Sequence, residues 1–138
     1  MIDPPPRARD SIAAMAFPDP ARLSALFDGD RELARCTRFW TGALHLGVGT
    51  QRFALRFEAG RFAAAGPSES APGPRDLEIV AAPAEWEKLL APLPPPFYQD
   101  AFGASLHHPG SLGGDPETLF AYYPALRRVI EILREANA

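Results

Sequence analysis

The residue types best suited to acid–base chemistry lie in the last third of the chain. They are tyrosine, aspartate and histidine side chains in a region that the sequence predicts to be largely helical: Tyr98, Asp100, His107, His108, Tyr122 and Tyr123. If this region covers an apolar cavity, a buried carboxyl or imidazole group there could act as an acid or base on an apolar substrate. The alternative is that the tyrosine hydroxyls reach solvent and that Asp100 is exposed on a helix.

The histidines form no recognisable metal site. His107 and His108 are adjacent, so on a strand their side chains point to opposite faces and cannot share a metal ion. Together with His45 and Cys36 they match no known spacing of metal ligands. The sequence therefore predicts that no metal is bound.

The serine and glycine residues nearby indicate turns. Ser105 precedes His107 by two residues, which is not the spacing of a nucleophile and its base. The Gly/Ser segments at 103–105 and 110–114 lack the lysine and the spacing of a phosphate-binding loop. We expect no cofactor.

Composition narrows the class of protein. The chain has 138 residues with a hydrophobic content of 46% and a formal charge of −3, which is typical of one small globular domain. Its 14 basic residues are scattered arginines and a single lysine, Lys88, so the sequence has no basic patch for nucleic acid. No stretch approaches the roughly 20 apolar residues of a membrane span.

The ends and the cysteine content suggest a location. Cys36 is the only cysteine, which excludes an intrachain disulfide and fits a reducing compartment. The apolar run at 12–17 is too short for the core of a signal peptide, and residues 1–10 are expected to form a disordered tail because Pro4–Pro6 cannot donate hydrogen bonds. We expect a cytoplasmic protein with one domain at 11–138.

Alternating residues predict strands in the middle of the chain. Residues 51–58 alternate between apolar and charged side chains, as a strand of a one-sided sheet does. The inward set is Phe53, Leu55 and Phe57, and the outward set is Arg52, Arg56 and Glu58.

Turn residues connect this strand to its neighbours. Gly49–Thr50 joins it to a strand that contains Leu44, Leu46 and Val48 and ends at Gly49, and Ala59–Gly60 joins it to a strand beginning at Arg61. Since alanine disfavours a type I′ turn, Ala59–Gly60 is expected to form a type I turn with a glycine bulge. Further strands are expected at 76–81 and around 105–108.

Helical spacing and capping residues predict the helices. They are expected at Ser11–Ala16, from Asp19–Pro20 to Gly29, at Pro83–Leu90, from Phe97 to Gly103, and from Asp115–Pro116 to the end. The last helix has apolar residues spaced 4, 3, 4 and 3 from Leu119 to Leu133. Pro124 is expected to kink or split it near Tyr122–Tyr123. Together these elements define an α+β fold.

The order of these elements resembles the sterol carrier protein type 2 domain family. The resemblance lies in the strand–turn–strand segment 53–61, the acidic–apolar strand 76–79, the aromatic-x-x-Leu helix 84–90 and Gly114–Asp115 before an apolar helix. It covers roughly residues 35–134 and is closest to bacterial members with a remodelled helical end. It implies an antiparallel sheet of about five strands, with helices on one face and an apolar ligand held between them.

The aromatic and aliphatic residues that could line such a ligand cavity are numerous. The alternative is that they simply fill a closely packed core. The candidates are Trp40, Phe53, Leu55, Phe57, Phe62, Trp86, Leu90, Phe97, Phe102, Leu119, Phe120 and Tyr123.

Three classes of function remain open. The first is binding or carrying of a small-to-medium apolar molecule, such as a lipid, an acyl chain or a sterol-like compound. The second is a small cofactor-free enzyme, such as a cyclase, isomerase or hydrolase, acting on an apolar substrate through weak candidates among Tyr98, Asp100, His107, His108 and Tyr123. The third is a protein-interaction module that uses the Leu119–Leu133 helix to form a homodimer.

Overall fold

The structure is a computed structural model that describes residues 19–137. Within these residues the helices are α1 (Pro20–Asp28), α2 (Arg31–Cys36), α3 (Pro83–Leu89), α4 (Ala101–His107) and α5 (Pro116–Asn137). The strands are β1 (Gly42–Val48), β2 (Gln51–Glu58), β3 (Arg61–Pro67), β4 (Leu77–Ala81) and β5 (Ser111–Gly114). The tail expected at 1–10 and the helix expected at Ser11–Ala16 lie outside the described residues.

The five strands form one mixed sheet in the order β3-β2-β1-β4-β5. The pairs β1–β2, β2–β3 and β4–β5 are antiparallel, whereas β1 and β4 are parallel. The prediction of an antiparallel sheet is therefore wrong at its centre. The sequence reveals hairpins, but the connection from β3 carries the chain past β2 and β1, and β4 enters beside β1 in the same direction.

The inner face of the sheet supplies the strand half of one hydrophobic core. The register aligns Leu44 with Leu55 on one side and with Leu77 on the other, so all three side chains share a face. The helical half of this core comprises Leu23, Phe27, Leu33, Leu126, Val129, Ile130 and Leu133.

The predicted facing of β2 is confirmed. Leu55 and Phe57 are buried and Phe53 is partly buried, while the charged residues of the strand are exposed: Arg52, Arg56 and Glu58. A slip of one residue would have exposed the whole apolar set, which is why the alternation fixes the register.

Aspartate caps begin four of the five described helices, the exception being α3, whose N-cap is Ala82. Asp19 accepts a hydrogen bond from the Arg22 N–H (2.9 Å) and Asp115 accepts one from the Thr118 N–H (3.2 Å), as their positions before proline predict. Asp30 caps α2 through the Leu33 N–H (2.7 Å), and this helix of six residues is not among those predicted.

The turn at Ala59–Gly60 differs from its prediction. Both residues have positive φ, 49° and 84°, as in a type I′ turn. The Ala59 N–H donates to the Thr41 hydroxyl (3.0 Å) and the Gly60 N–H donates to the Trp40 carbonyl (2.8 Å). These tertiary bonds offset the strain of a left-handed alanine, which local propensity could not reveal.

The segment 97–114 also differs from its prediction. The helix expected from Phe97 to Gly103 begins at Ala101 instead, because Phe97 has φ +67° and Asp100 is the N-cap. The helix then continues to His107, so the strand expected around 105–108 is wrong. The last strand follows at β5, where Leu112 pairs with Ile79 of β4.

Pro124 does not split the final helix, so the predicted split is wrong, while the predicted kink stays a prediction. The helix α5 is continuous from Pro116 to Asn137 with Pro124 inside it. Proline removes one backbone hydrogen bond at a cost of about 3 kcal/mol. Since the next turns bury Ala125, Leu126 and Val129 in the core, packing holds the helix together across this point.

Candidate functional site

An open apolar groove lies at the β5 edge of the sheet, between α4 and the first half of α5. We call it the edge groove. Its volume is about 360 Å³. The residues that line it are Asp100, Phe102, Leu112, Leu119, Phe120, Tyr123 and Pro124.

Three elements build the walls of the edge groove. Leu112 comes from β5, the last strand of the sheet, where no further strand covers its side. Leu119 and Tyr123 come from α5, where spacing i, i+4 places them on one helix face. Phe102 comes from α4, and its ring meets Tyr123 edge to face with centroids 6.3 Å apart.

Apolar rings at the mouth of the edge groove face solvent. Phe102 is 53% exposed and Phe120 is 83% exposed. Scattered exposed apolar residues are normal on proteins, but a contiguous set around a depression is typical of a binding surface. The rings therefore provide apolar surface that a ligand would cover.

The polar end of the edge groove is formed by Asp100 and Tyr123. Asp100 accepts the Gly103 N–H (2.7 Å), and the Tyr123 hydroxyl accepts the Phe102 N–H (3.1 Å). Burial raises the pKa of Tyr123, and the charge and a hydrogen bond of Asp100 add to the rise, so this hydroxyl is a neutral donor toward Asp100. Both groups thus hold the start of α4 in place.

A second, smaller cavity lies on the inner side of α4. It encloses about 30 Å³ between β4, α3 and α4, which is room for about one water molecule and not for a lipid. Ile79, Trp86, Leu89 and Ala101 form its apolar wall. The helix α4 contributes lining residues to both this cavity and the edge groove.

Tyr98 lines this small cavity and is held in place by contacts with four residues. Its hydroxyl donates a short hydrogen bond to Glu85, its ring stacks on His108 with centroids 3.9 Å apart, and the Lys88 ammonium lies 5.7 Å from its centroid. The Arg134 guanidinium donates to its carbonyl (2.7 Å). Burial and the bond to Glu85 raise the pKa of Tyr98 to about 12, so the phenol stays protonated.

His107 and His108 make contacts that hold the end of α4 in place, and neither lines the edge groove. His107 stacks on Phe97 with centroids 3.9 Å apart, and His108 Nε2 lies 3.0 Å from the Pro96 carbonyl. His45 is buried elsewhere, with its Nε2 2.8 Å from Asp76 Oδ2. Within residues 19–137, no three His, Cys, Asp or Glu side chains are grouped to hold a metal ion.

The structure divides the predicted ligand-lining residues into two sets. One set lies in or beside the closed core: Trp40, Phe53, Leu55, Phe57, Phe62, Trp86 and Leu90. Phe102, Leu119, Phe120 and Tyr123 line the edge groove. Phe97 is half-exposed, on the other side of the α4 segment.

The sequence missed Leu112 and Pro124 as lining residues. Leu112 follows Pro109–Gly110, which hides the strand pattern, and its position is set by pairing with Ile79. Pro124 suggested a break in the helix and not a surface of the groove. The sequence around Pro124 indicates only a missing backbone N–H, which says nothing about whether its side chain lines a groove.

Three solved structures share the architecture of this chain. A crystal structure of sterol carrier protein 2 matches with a TM-score of 0.65 at 19% identity, covering 88% of this chain and 95% of the other. The solution structure of a conserved hypothetical protein from Thermus thermophilus, considered a candidate sterol carrier protein, matches with a TM-score of 0.63 at 18% identity. It covers 92% of this chain and 88% of the other.

A third match is the ubiquinone synthesis protein UbiJ-SCP2. Its TM-score is 0.52 at 11% identity, with 98% of this chain and 97% of the other covered. No family model and no curated protein matches the sequence. The chain therefore has the fold of sterol carrier protein 2, which confirms the resemblance at the level of the fold.

No helix within residues 19–137 combines the length and apolar character needed to cross a bilayer. The cytoplasmic location and bacterial origin stay predictions.

Proposed function

We propose that this protein binds a small-to-medium apolar molecule, such as a lipid, an acyl chain or a sterol-like compound, in the edge groove. The observation that carries the proposal is the set of exposed rings around an open depression, at Phe102 and Phe120. Its volume of about 360 Å³ falls within the range of about 300–1,000 Å³ that is usual for small-molecule sites. The names of the structural neighbours, two of which refer to sterol carrier proteins, support the same class of ligand.

The helix α4 provides the adjustable wall in this proposal. It has seven residues, of which Ala101 alone is buried, and its first turn is held by the bonds at Asp100 and Tyr123. Short elements with few buried contacts open at low free-energy cost. A ligand longer than the groove would displace α4 and extend toward the small cavity beside Trp86.

The candidate acid and base groups favour binding over catalysis. Tyr98 is bonded to Glu85 and stays protonated, and Asp100 serves as the cap of α4. The Leu119–Leu133 helix has little apolar surface left for a dimer, because Leu126, Ile130 and Leu133 are buried in the core of their own chain. Apolar ligand binding is thus the function that the geometry supports best.

The test is to replace an exposed groove ring with a charge. Phe120→Glu should weaken binding of decanol, measured by isothermal titration calorimetry, by about tenfold, because one buried aromatic side chain is worth about 1.5–3 kcal/mol. Phe120 is 83% exposed, so the fold should be unaffected.

The matched control is Phe39→Glu. Phe39 is 75% exposed, has the same residue type and lies outside the groove lining, so this variant should bind decanol like the parent protein. Equal weakening in both variants, or no saturable binding in the parent protein, would contradict the proposed function.

A further inference from the structure

The charges around the edge groove are unevenly distributed. Among the described residues that line it, Asp100 alone carries a formal charge. Asp115 and Glu117 in the first turn of α5 are exposed and line a different opening, together with Arg75. The cation that acts on Tyr123 is Arg127, which is exposed and does not line the groove.

Asp100 is also fixed in position. As the N-cap of α4 its Oδ1 accepts the Gly103 N–H at 2.7 Å, and the Tyr123 hydroxyl is directed toward it. If the Asp100 side chain rotated away from a ligand, it would break the cap that begins α4. An anionic group entering this end of the groove would meet a negative charge in a partly dehydrated site, where repulsion is poorly screened.

From this arrangement we propose that the edge groove selects apolar molecules whose polar end is an uncharged hydrogen-bond donor, such as an alcohol or a phenol, over carboxylate or phosphate anions. This inference rests on the proposed function. The Asp100 carboxylate can still accept the donor, because its two oxygens offer about four lone-pair sites and the bonds from Gly103 and Tyr123 occupy only two of them. The selectivity is achieved by repulsion of the wrong ligand as well as attraction of the right one.

Matched probes test this proposal. Decanol, methyl decanoate and decanoate share a chain length and differ at the polar end as a neutral donor, a neutral acceptor and an anion. In titration calorimetry at neutral pH, decanol should bind at least about tenfold more tightly than decanoate, since like-charge contacts cost a few kcal/mol. Methyl decanoate should fall between them.

Two variants assign the effect to Asp100. Asp100→Asn keeps a good N-cap and removes the charge, so it should improve decanoate binding about tenfold. It should weaken decanol binding about threefold or more, because the amide replaces one acceptor oxygen with an NH2 group that cannot accept the alcohol. Asp115→Asn changes the net charge of the protein equally and caps α5, yet Asp115 does not line the groove. It should leave the ratio of the two affinities unchanged within about twofold.

The outcomes separate this inference from the proposed function. Decanoate binding as tightly as decanol to the parent protein would overturn the selectivity while leaving the apolar groove in place. An equal shift of the ratio in both variants would assign the effect to net charge and overturn the role of Asp100. Failure of all three probes to bind would overturn the proposed function itself.

Discussion

The two edges of the sheet differ in how their aromatic rings are placed. At the β3 edge, Phe62 packs edge to face against Phe27 and Phe57, with centroids 5.0 Å and 5.8 Å apart. At the β5 edge, a strand of four residues is followed by rings that remain in solvent. The aromatic rings at the β3 edge thus pack against one another, whereas those at the β5 edge remain exposed.

The helices beside the β3 edge and the β5 edge are also held by different interactions. Beside the β3 edge, the cap of α2 is also an ion pair: Arg128 on α5 donates to both oxygens of Asp30, with Nη2–Oδ2 at 2.6 Å. Beside the β5 edge, α4 is held at its start by the Asp100 cap and one bond from its backbone to Tyr123, and at its end by the contacts of the two histidines. Opening the β5 edge therefore breaks hydrogen bonds and ring contacts but not the ion pair between Arg128 and Asp30.

Volume alone would favour the β3 edge as the ligand site. The opening at the β3 edge encloses about 510 Å³, more than the edge groove, but its rim carries Asp28 and Arg61. Thr37 at its base already donates to the Gly60 carbonyl (2.8 Å). The comparison teaches that apolar lining and a weakly held wall identify the better ligand site.

The largest effect is expected from breaking the ion pair near the β3 edge. Arg128→Met should lower the free energy of unfolding by about 2–3 kcal/mol, because Asp30 would keep a partly buried charge without its partner. Denaturant unfolding at neutral pH measures this. Arg127→Met is the control: Arg127 is exposed, and its loss should change stability by less than about 0.5 kcal/mol.

The loss of stability caused by Arg128→Met should depend on pH. Hydrogen bonding from Arg128 lowers the pKa of Asp30, so the pair stabilises the fold above the ordinary aspartate range and stops doing so as pH falls through the lowered pKa. The difference between the parent protein and Arg128→Met should therefore shrink in acid. A constant difference between pH 7 and about pH 2 would contradict the assignment.

A smaller effect is expected at the β5 edge. Tyr123→Phe removes the acceptor of the Phe102 N–H and should destabilise α4 by about 0.5–1 kcal/mol. Amide exchange in α4 should accelerate by up to about fivefold, while exchange in α1 and α2 stays constant. Tyr122→Phe is the control, since the Tyr122 ring stacks on Trp40 and lies outside the groove lining. Equal acceleration in α1 would show a global effect instead.

The sequence predicts the elements near the β3 edge better than those near the β5 edge. The alternation in 51–58 predicts the facing of β2, and Asp19 with Pro20 predicts the start of α1. At the β5 edge, Leu119 and Tyr123 follow from helical spacing, because that spacing acts over neighbouring turns. The position of Leu112 does not, since it depends on the crossover that places β4 and β5.

The central claim is that the β5 edge, and not the β3 edge, binds an apolar ligand. The most direct test is amide hydrogen exchange with and without saturating decanol. We expect slower exchange in α4, in β5 at Leu112 and in the first half of α5, no change in α2 and β3, and loss of the protection in Phe120→Glu. Protection centred on β3 and α2, or no protection at any concentration of decanol, would contradict this claim.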